Sequence, residues 1–324
     1  MKVALCFIIS YEHILQKEEY WIKWIKSNED LFNVYFHYKN KKKIKSKWIL
    51  DHCIPDCYIQ TTSYFHVVPA YMSLLNYAYK KDDDNQWFCM LTESCVPIIS
   101  PKKFRNLFFE NYNKSIIRYN KANWNIHLHR RANLNLLDKK FHLSNDPWFT
   151  LSRHHVVICM AFISEYNKLY KLINSGGLAN ESMFAIIFTE YEQLNDEVLI
   201  NSSSTIADWY RMANPTSPHL FDECNEKDEI IIKNELKNNP YALFLRKVNY
   251  KFPDDKLMKL SSWDIEVENN DKSNNILTLN HSEKKIYTLS IDFFFRCIYV
   301  VVLLEILTNF NFSYFIITKL NELF

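Results

Sequence analysis

Glycine occurs only twice in the 324 residues, at Gly176 and Gly177. A Walker loop and the GxGxxG dinucleotide fingerprint both need glycines at spacings that one adjacent pair cannot supply, so neither fold signature can exist in this chain. Any phosphate it binds is held by side chains or by helix N-termini. The chain is 48% hydrophobic and 23% charged, a globular composition with enough apolar residues for a substantial core. Lys+Arg 39 against Asp+Glu 37 leaves a formal net charge of +2. No global field favours a polyanion, and nucleic acid is not the expected partner.

The apolar pattern sets a βα order. Val3 to Ile9 is continuously apolar, which suits a strand covered on both faces of a parallel sheet. A helix is expected over Glu12 to Lys26 and a second strand over Leu31 to Tyr38, followed by a lysine-rich loop from Lys39 to Lys47. A short strand over Cys57 to Gln60, a helix over Val68 to Tyr79 and a buried strand over Trp87 to Leu91 continue the alternation. Further helices are expected over Lys102 to Asn111, His154 to Ile173 and Glu181 to Glu190. The order fits an α/β sandwich of the nucleotide-diphosphosugar type.

Three regions follow from composition: a catalytic domain over 1–263, a polar linker over 264–285 dense in Asn, Asp and Lys, and a hydrophobic segment over 286–324. Asp292, Arg296 and Glu305 interrupt that last segment, so it reads as a docked or interfacial helix, with membrane association through 286–324, and not as a span. The first strand starts at Lys2, with no room before it for a signal or anchor. Cys6 and Cys159 sit in apolar runs as small hydrophobes, and Cys53 and Cys57 lack a second ligand pair at zinc spacing.

Ligands of open α/β sheets collect beyond the carboxyl ends of the strands. Asp82-Asp83-Asp84 precedes the strand Trp87 to Leu91 and so lies at its amino end, where a solvated turn that tolerates Asn replacement is expected and not a metal site. At the opposite end stands Leu91-Thr92-Glu93-Ser94-Cys95-Val96-Pro97, which offers hydroxyl and carboxylate groups to a crevice. Downstream come Arg118-Tyr119-Asn120, Asp146-Pro147-Trp148-Phe149-Thr150-Leu151-Ser152-Arg153, Leu178-Ala179-Asn180-Glu181-Ser182-Met183-Phe184, Ser204-Thr205-Ile206-Ala207-Asp208-Trp209 and Leu243-Phe244-Leu245-Arg246-Lys247.

In this order the six elements resemble those of the core 2/I-branching beta-1,6-N-acetylglucosaminyltransferase family, in the form of its plant-type branch. The resemblance covers roughly residues 2 to 250. It implies a GT-A-like fold with a mixed sheet flanked by helices, to which the composition of 286–324 adds a C-terminal hydrophobic appendage. It also implies an inverting transferase that needs no metal or other cofactor and moves a sugar, N-acetylglucosamine in the family, from a UDP-sugar to a glycan or glycoprotein acceptor. The family is of the Golgi or secretory membrane type; the residues themselves fit a cytoplasmic enzyme equally.

Glu181 matches the family's general base, its alternative being a carboxylate favoured by a helix N-terminus. Glu93, Ser94, Arg246 and Lys247 match donor-binding positions, with the basic pair set to neutralise the leaving diphosphate in place of a metal; an exposed basic pair is the alternative. Asp208, Trp209 and Trp148 are assigned to the sugar and acceptor pocket, Trp148 with Arg153 in a mainly architectural part. For Trp209, core packing is the alternative. Lys233 is the nearest candidate for a further basic residue. His127, His129, Arg130 and Arg131 read as a solvated loop or as acceptor contacts. Asn180 replaces a family aspartate and Ser217 a histidine, which motivates a rival reading, a catalytically weak or inactive sugar-binding protein on the same fold.

Overall fold

The apolar run at the start becomes strand β1 (Lys2–Ile8), and its lack of alternation has a simple cause. Val3, Leu5 and Phe7 enter one core with Trp21 and Phe36, while Ala4, Cys6 and Ile8 enter a second with Met72, Leu75 and Phe88. The computed structural model describes residues 1–212, 214 and 217–262, and the linker and hydrophobic segment expected over 264–324 lie outside them. Met1–Trp263 forms one compact unit. No described helix is long and apolar enough to cross a membrane.

Helix α1 (Glu18–Lys26) buries Tyr20, Trp21 and Trp24 and carries Glu18 and Glu19 in its first turn, Lys23 and Lys26 in its last. It starts later than the pattern suggests, because residues 10–17 form turns instead. Lys17 at their end donates to the carbonyls of Phe252 (2.8 Å) and Tyr250 (3.3 Å), tying this entry to the far end of the unit. Strand β2 (Phe32–His37) pairs parallel with β1. The lysine run is mostly exposed, with a 3-10 turn over Lys41–Lys43 and then α2 (Lys47–Asp51), whose N-cap Ser46 accepts from the Ile49 amide. In place of a strand over Cys57 to Gln60 there is a 3-10 turn, Asp56–Tyr58. Pro55 enters it and its carbonyl accepts from the Tyr58 amide, so the apolar residues there are covered by a turn and not by a ladder.

Helix α3 (Val68–Lys81) leads to β3 (Asn85–Thr92), which pairs parallel with β1. Strand β4 (Val96–Pro97), helix α4 (Pro101–Asn111) and the short strands β5 (Ser115–Ile116), β6 (Tyr119–Lys121), β7 (Leu143–Asn145) and β8 (Thr150–Ser152) follow. The helix expected over His154 to Ile173 is two, α5 (Arg153–Glu165) and α6 (Asn167–Asn174), broken at Tyr166. The Asn167 side chain donates to the Ile163 carbonyl there, competing with the helical ladder. The unit continues with α7 (Met183–Glu190), β9 (Leu199–Ile200), β10 (Thr205–Ala207), α8 (Glu226–Asn238) and β11 (Phe244–Arg246).

The main sheet has the order β2-β1-β3-β8-β5-β9, a second sheet the order β10-β11-β4, and β6 pairs with β7. Strand β8 runs antiparallel to both β3 and β5, which makes the main sheet mixed. With helices flanking it, the architecture is consistent with a GT-A-like fold. All seven described cysteines are free thiols.

Candidate active site

The end of β3 and the end of β11 meet through the small sheet. Leu245 pairs with Val96 and Phe244 with Pro97, so Arg246 emerges beside the Thr92–Ser94 turn, and the Val248 amide donates to the Ser94 carbonyl (2.9 Å). Arg246 Nη1 donates to Ser94 Oγ at 2.8 Å and to Thr92 Oγ1. Its Cζ stands 4.0 Å from the centroid of the Trp148 ring, a cation–π contact. Arg246 Nε is buried without a partner. Lys247, partly exposed, has no side-chain hydrogen bond or ion pair among the described residues. Burial pushes the Glu93 carboxyl above its ordinary value; nearby Arg246 and Lys247 oppose the rise and Glu12 adds to it. The four donor-binding residues expected from the motifs are thus one cluster at the carboxyl end of β3.

Glu181 closes a 3-10 turn, Ala179–Glu181, one residue ahead of α7's cap. Its position is fixed by backbone. Leu178 takes a left-handed φ of 52°, its amide donates to the Phe65 carbonyl (2.8 Å), and Asn145 Nδ2 holds the Asn180 carbonyl (2.9 Å). The carboxylate accepts from Arg131 Nη1 at 2.8 Å. Burial pushes the Glu181 carboxyl up, and Arg131 limits the rise by charge and hydrogen bond.

Glu181, Trp148 and Trp209 line one cleft of about 770 Å³, along with Trp124, Arg131 and Asp146. Trp148 links the two groups, since it lines this cleft and carries Arg246 on its ring. Tyr71 lies beneath, buried, close enough to Arg246 and Glu181 to feel both charges. Trp209 is 42% exposed and available as a flat face for a ring. Asp208 is placed differently from the pocket role expected of it. It is 4% exposed, and its carboxylate accepts from the Tyr210 and Arg211 amides (2.9 and 3.2 Å) and from Arg211 Nε. Asp208 therefore shapes the turn that presents Trp209 and Tyr210 and does not line the cleft.

Lys233 pairs with Glu229 on its own helix at 3.4 Å. The three consecutive aspartates have protein partners: Asp82 with Lys2 (3.0 Å) and Asn33 (2.8 Å), Asp83 with Arg153 (2.8 Å), Asp84 with the N-terminal amine (3.8 Å). Among the described residues no group of three or more His, Cys, Asp or Glu is placed to hold a metal. Sequence reasoning missed Arg131 as the partner of Glu181, and it missed Asp146, whose carboxylate accepts from Ser203 and lies 3.8 Å from Arg118 Nε.

The family model described as Branch: Core-2/I-Branching enzyme matches residues 5–232. No curated protein matches the chain. Among solved structures it is similar to 4-diphosphocytidyl-2C-methyl-D-erythritolsynthase from Anaerococcus prevotii DSM 20548, at 9% identity and a TM-score of 0.36, over 73% of this chain and 99% of that one. A likeness that slight has no bearing on fold or function.

Proposed function

Since the chain belongs to the core-2/I-branching enzyme family, and is on that ground a glycosyltransferase, we propose that it moves a sugar, N-acetylglucosamine by its motifs, from a UDP-sugar to a glycan acceptor, with inversion and without a metal. The nucleotide lies in the crevice outside the carboxyl ends of β1, β2 and β3. Glu93 and Ser94 border it. Glu181 takes the proton of the acceptor hydroxyl as that oxygen bonds to the anomeric carbon. The bond from that carbon to the diphosphate breaks on the opposite face, and its electron pair leaves with UDP. Lys247, whose ammonium makes no hydrogen bond or ion pair among the described residues, offsets the developing charge, with Arg246 behind it. Trp148 and Trp209 present aromatic faces to the pyranose rings.

The observation that carries this reading is the position of Trp148, which lines the cleft with Glu181 and supports Arg246 on its ring. A base that shares a cleft with the aromatic residue on which Arg246 rests suits a displacement on a sugar whose leaving group meets the basic pair. The test is transfer from UDP-N-acetylglucosamine to a glycan acceptor by the full chain, in EDTA, beside Glu181→Gln. Wild-type turnover that survives EDTA and falls by at least ~10²-fold in the variant is expected. Undiminished transfer by a folded Glu181→Gln protein removes Glu181 from the mechanism, and loss in EDTA that manganese restores reinstates a metal. The rival, a sugar-binding protein without turnover, draws on Asn180, whose side-chain oxygen is buried and unpartnered beside Glu181. UDP-sugar binding without transfer by the wild type would favour it.

A further inference from the structure

The chain's two glycines stand where the loop carrying Arg131 meets the turn that carries Glu181. A Cβ on Gly176 would lie 2.4 Å from the Asn133 nitrogen and 2.7 Å from the Ala132 carbonyl carbon, both backbone atoms that cannot swing away. The Gly177 carbonyl accepts from the Ala132 amide at 3.0 Å, and Arg131 bridges to Gly177 in parallel register. Asn133 Nδ2 donates to the Leu172 carbonyl (2.8 Å) and to Ser175 Oγ (3.0 Å), pinning the same loop to the end of α6. Ala132 and Asn133 both take a left-handed φ of 51° to make this fit. Arg131 leaves this clasp with its Cζ 5.0 Å from the Trp124 ring centroid and its Nη1 2.8 Å from Glu181.

We propose that Arg131 is a positioning residue for Glu181, holding its carboxylate ionised and aimed into the cleft, and that the Gly176–Gly177 turn sets the distance between them. The proposal rests on the reading of Glu181 as the base. A half-buried carboxylate without a counter-charge takes up a proton more readily, and a protonated carboxyl cannot accept one from an acceptor hydroxyl. The guanidinium lessens that obstacle. Because it holds one oxygen of Glu181, it leaves the other for the hydroxyl. The cleft's other charged groups are Arg118, Lys121, Asp146 and Glu235, with Tyr71 beneath it. His127, His129 and Arg130 of the loop, and His66 of the segment beside Gly177, are exposed. Of these, Asp146 is engaged by Ser203 and Arg118, whereas Arg131 contacts Glu181 directly.

The experiment needs no substrate. The full chain is labelled with glutamate carrying ¹³C at its side-chain carboxyl, and the Glu181 signal is identified as the one lost in Glu181→Gln. Its titration midpoint is then compared in the wild type, Arg131→Met, Arg131→Gln and Arg131→Lys. The midpoint should rise by ~1 unit or more in the Met and Gln variants and return most of the way in the Lys variant. The acid limb of kcat/KM should move with it. Gly176→Ala, which displaces the 132–133 backbone, should shift the midpoint in the same direction with Arg131 intact. Either neutral variant, folded and with an unmoved Glu181 midpoint, overturns the role of Arg131, and an unmoved midpoint in folded Gly176→Ala overturns the part given to the turn. Full transfer by Glu181→Gln would instead remove the base reading and leave the titration result standing.

Discussion

Arg246 lies over the ring of Trp148, its Cζ 4.0 Å from the centroid, and the same guanidinium donates to Ser94 and Thr92. One side chain thereby joins the end of β3, the approach to β8 and the end of β11. Its neighbour Lys247 makes no side-chain hydrogen bond or ion pair among the described residues, although the two form one basic pair in the sequence.

That difference predicts a split between them. Arg246→Ala should lower stability by about 1–3 kcal/mol, since it removes a stacked cation and strands the hydroxyls it serves. Arg246→Lys should recover little, because a lysine offers neither the plane nor the fork. Lys247→Ala should leave the thermal midpoint near that of the wild type and lower turnover by ~10²–10³-fold. Thermal unfolding beside transfer rates checks this; equal loss of stability in both alanine variants would contradict it.

The pH profile should carry the mark of a half-buried base. Burial raises the Glu181 carboxyl above its ordinary 4.5, with Arg131 limiting the rise, so the group is protonated and idle over a wider acidic range than a surface glutamate. The kcat/KM curve should fall toward acid with its limb above that value. A limb at or below 4.5 would mean that another group governs the proton.

Asp82 should be a stability residue. Burial alone would raise its carboxyl, but hydrogen bonds from Asn33, the Asp84 amide and Lys2 bring it down from 3.8 to about 2. A depressed carboxyl stabilises the fold above the unfolded value and loses that contribution as pH falls, here between about 4 and about 2. Discounted for solvent screening at this partly exposed carboxylate, the contribution near neutrality is on the order of 1 kcal/mol. Asp82→Asn should therefore lower the melting temperature at pH 7 and flatten its dependence below pH 4, whereas Asp84→Asn, at an exposed ion pair 3.8 Å long, should leave the melting temperature at pH 7 nearly unchanged.

Removing residues 270–324 should leave a folded, active protein, because Met1–Trp263 is a compact unit with both apolar cores. Soluble yield, thermal midpoint and transfer of the truncation are the measurements, with alkaline carbonate extraction of the full chain to test for membrane association. An insoluble truncation would assign the tail to the core.

The long strands were legible because burial on both faces writes itself as an unbroken apolar run, as in Val3 to Ile9. The cluster of Glu93, Ser94, Arg246 and Lys247 followed from the carboxyl-end rule together with motif order. Strands β4, β5 and β9 are two residues each, too short to show a period of two, so the second sheet and the direction of β8 were not readable. Asp208 carries an aspartate's local turn signature, accepting from the amides two and three residues on, whereas its motif and a carboxylate's fitness to bind sugar hydroxyls point to the pocket. The pairing of Arg131 with Glu181 spans 50 residues and depends on a backbone approach that only the folded turn at Gly176 reveals.

The reversal of β8 has a consequence for how such an enzyme can change. Because β8 runs against β3, with Cys89 opposite Thr150 and the Met90 amide bonded to the Phe149 carbonyl at 2.8 Å, the chain returns at Trp148 to the edge it left at Thr92. The stretch between is a closed excursion, clasped at its mouth by Arg246. Lengthening a closed loop is cheap, about 0.6 kcal/mol for each doubling. Insertions among the exposed residues between β6 and β7 would thus reshape the Arg131 and Trp124 side of the cleft while the clasp keeps Thr92, Ser94 and Arg246 in register, so that one part of the site can drift without disturbing the other.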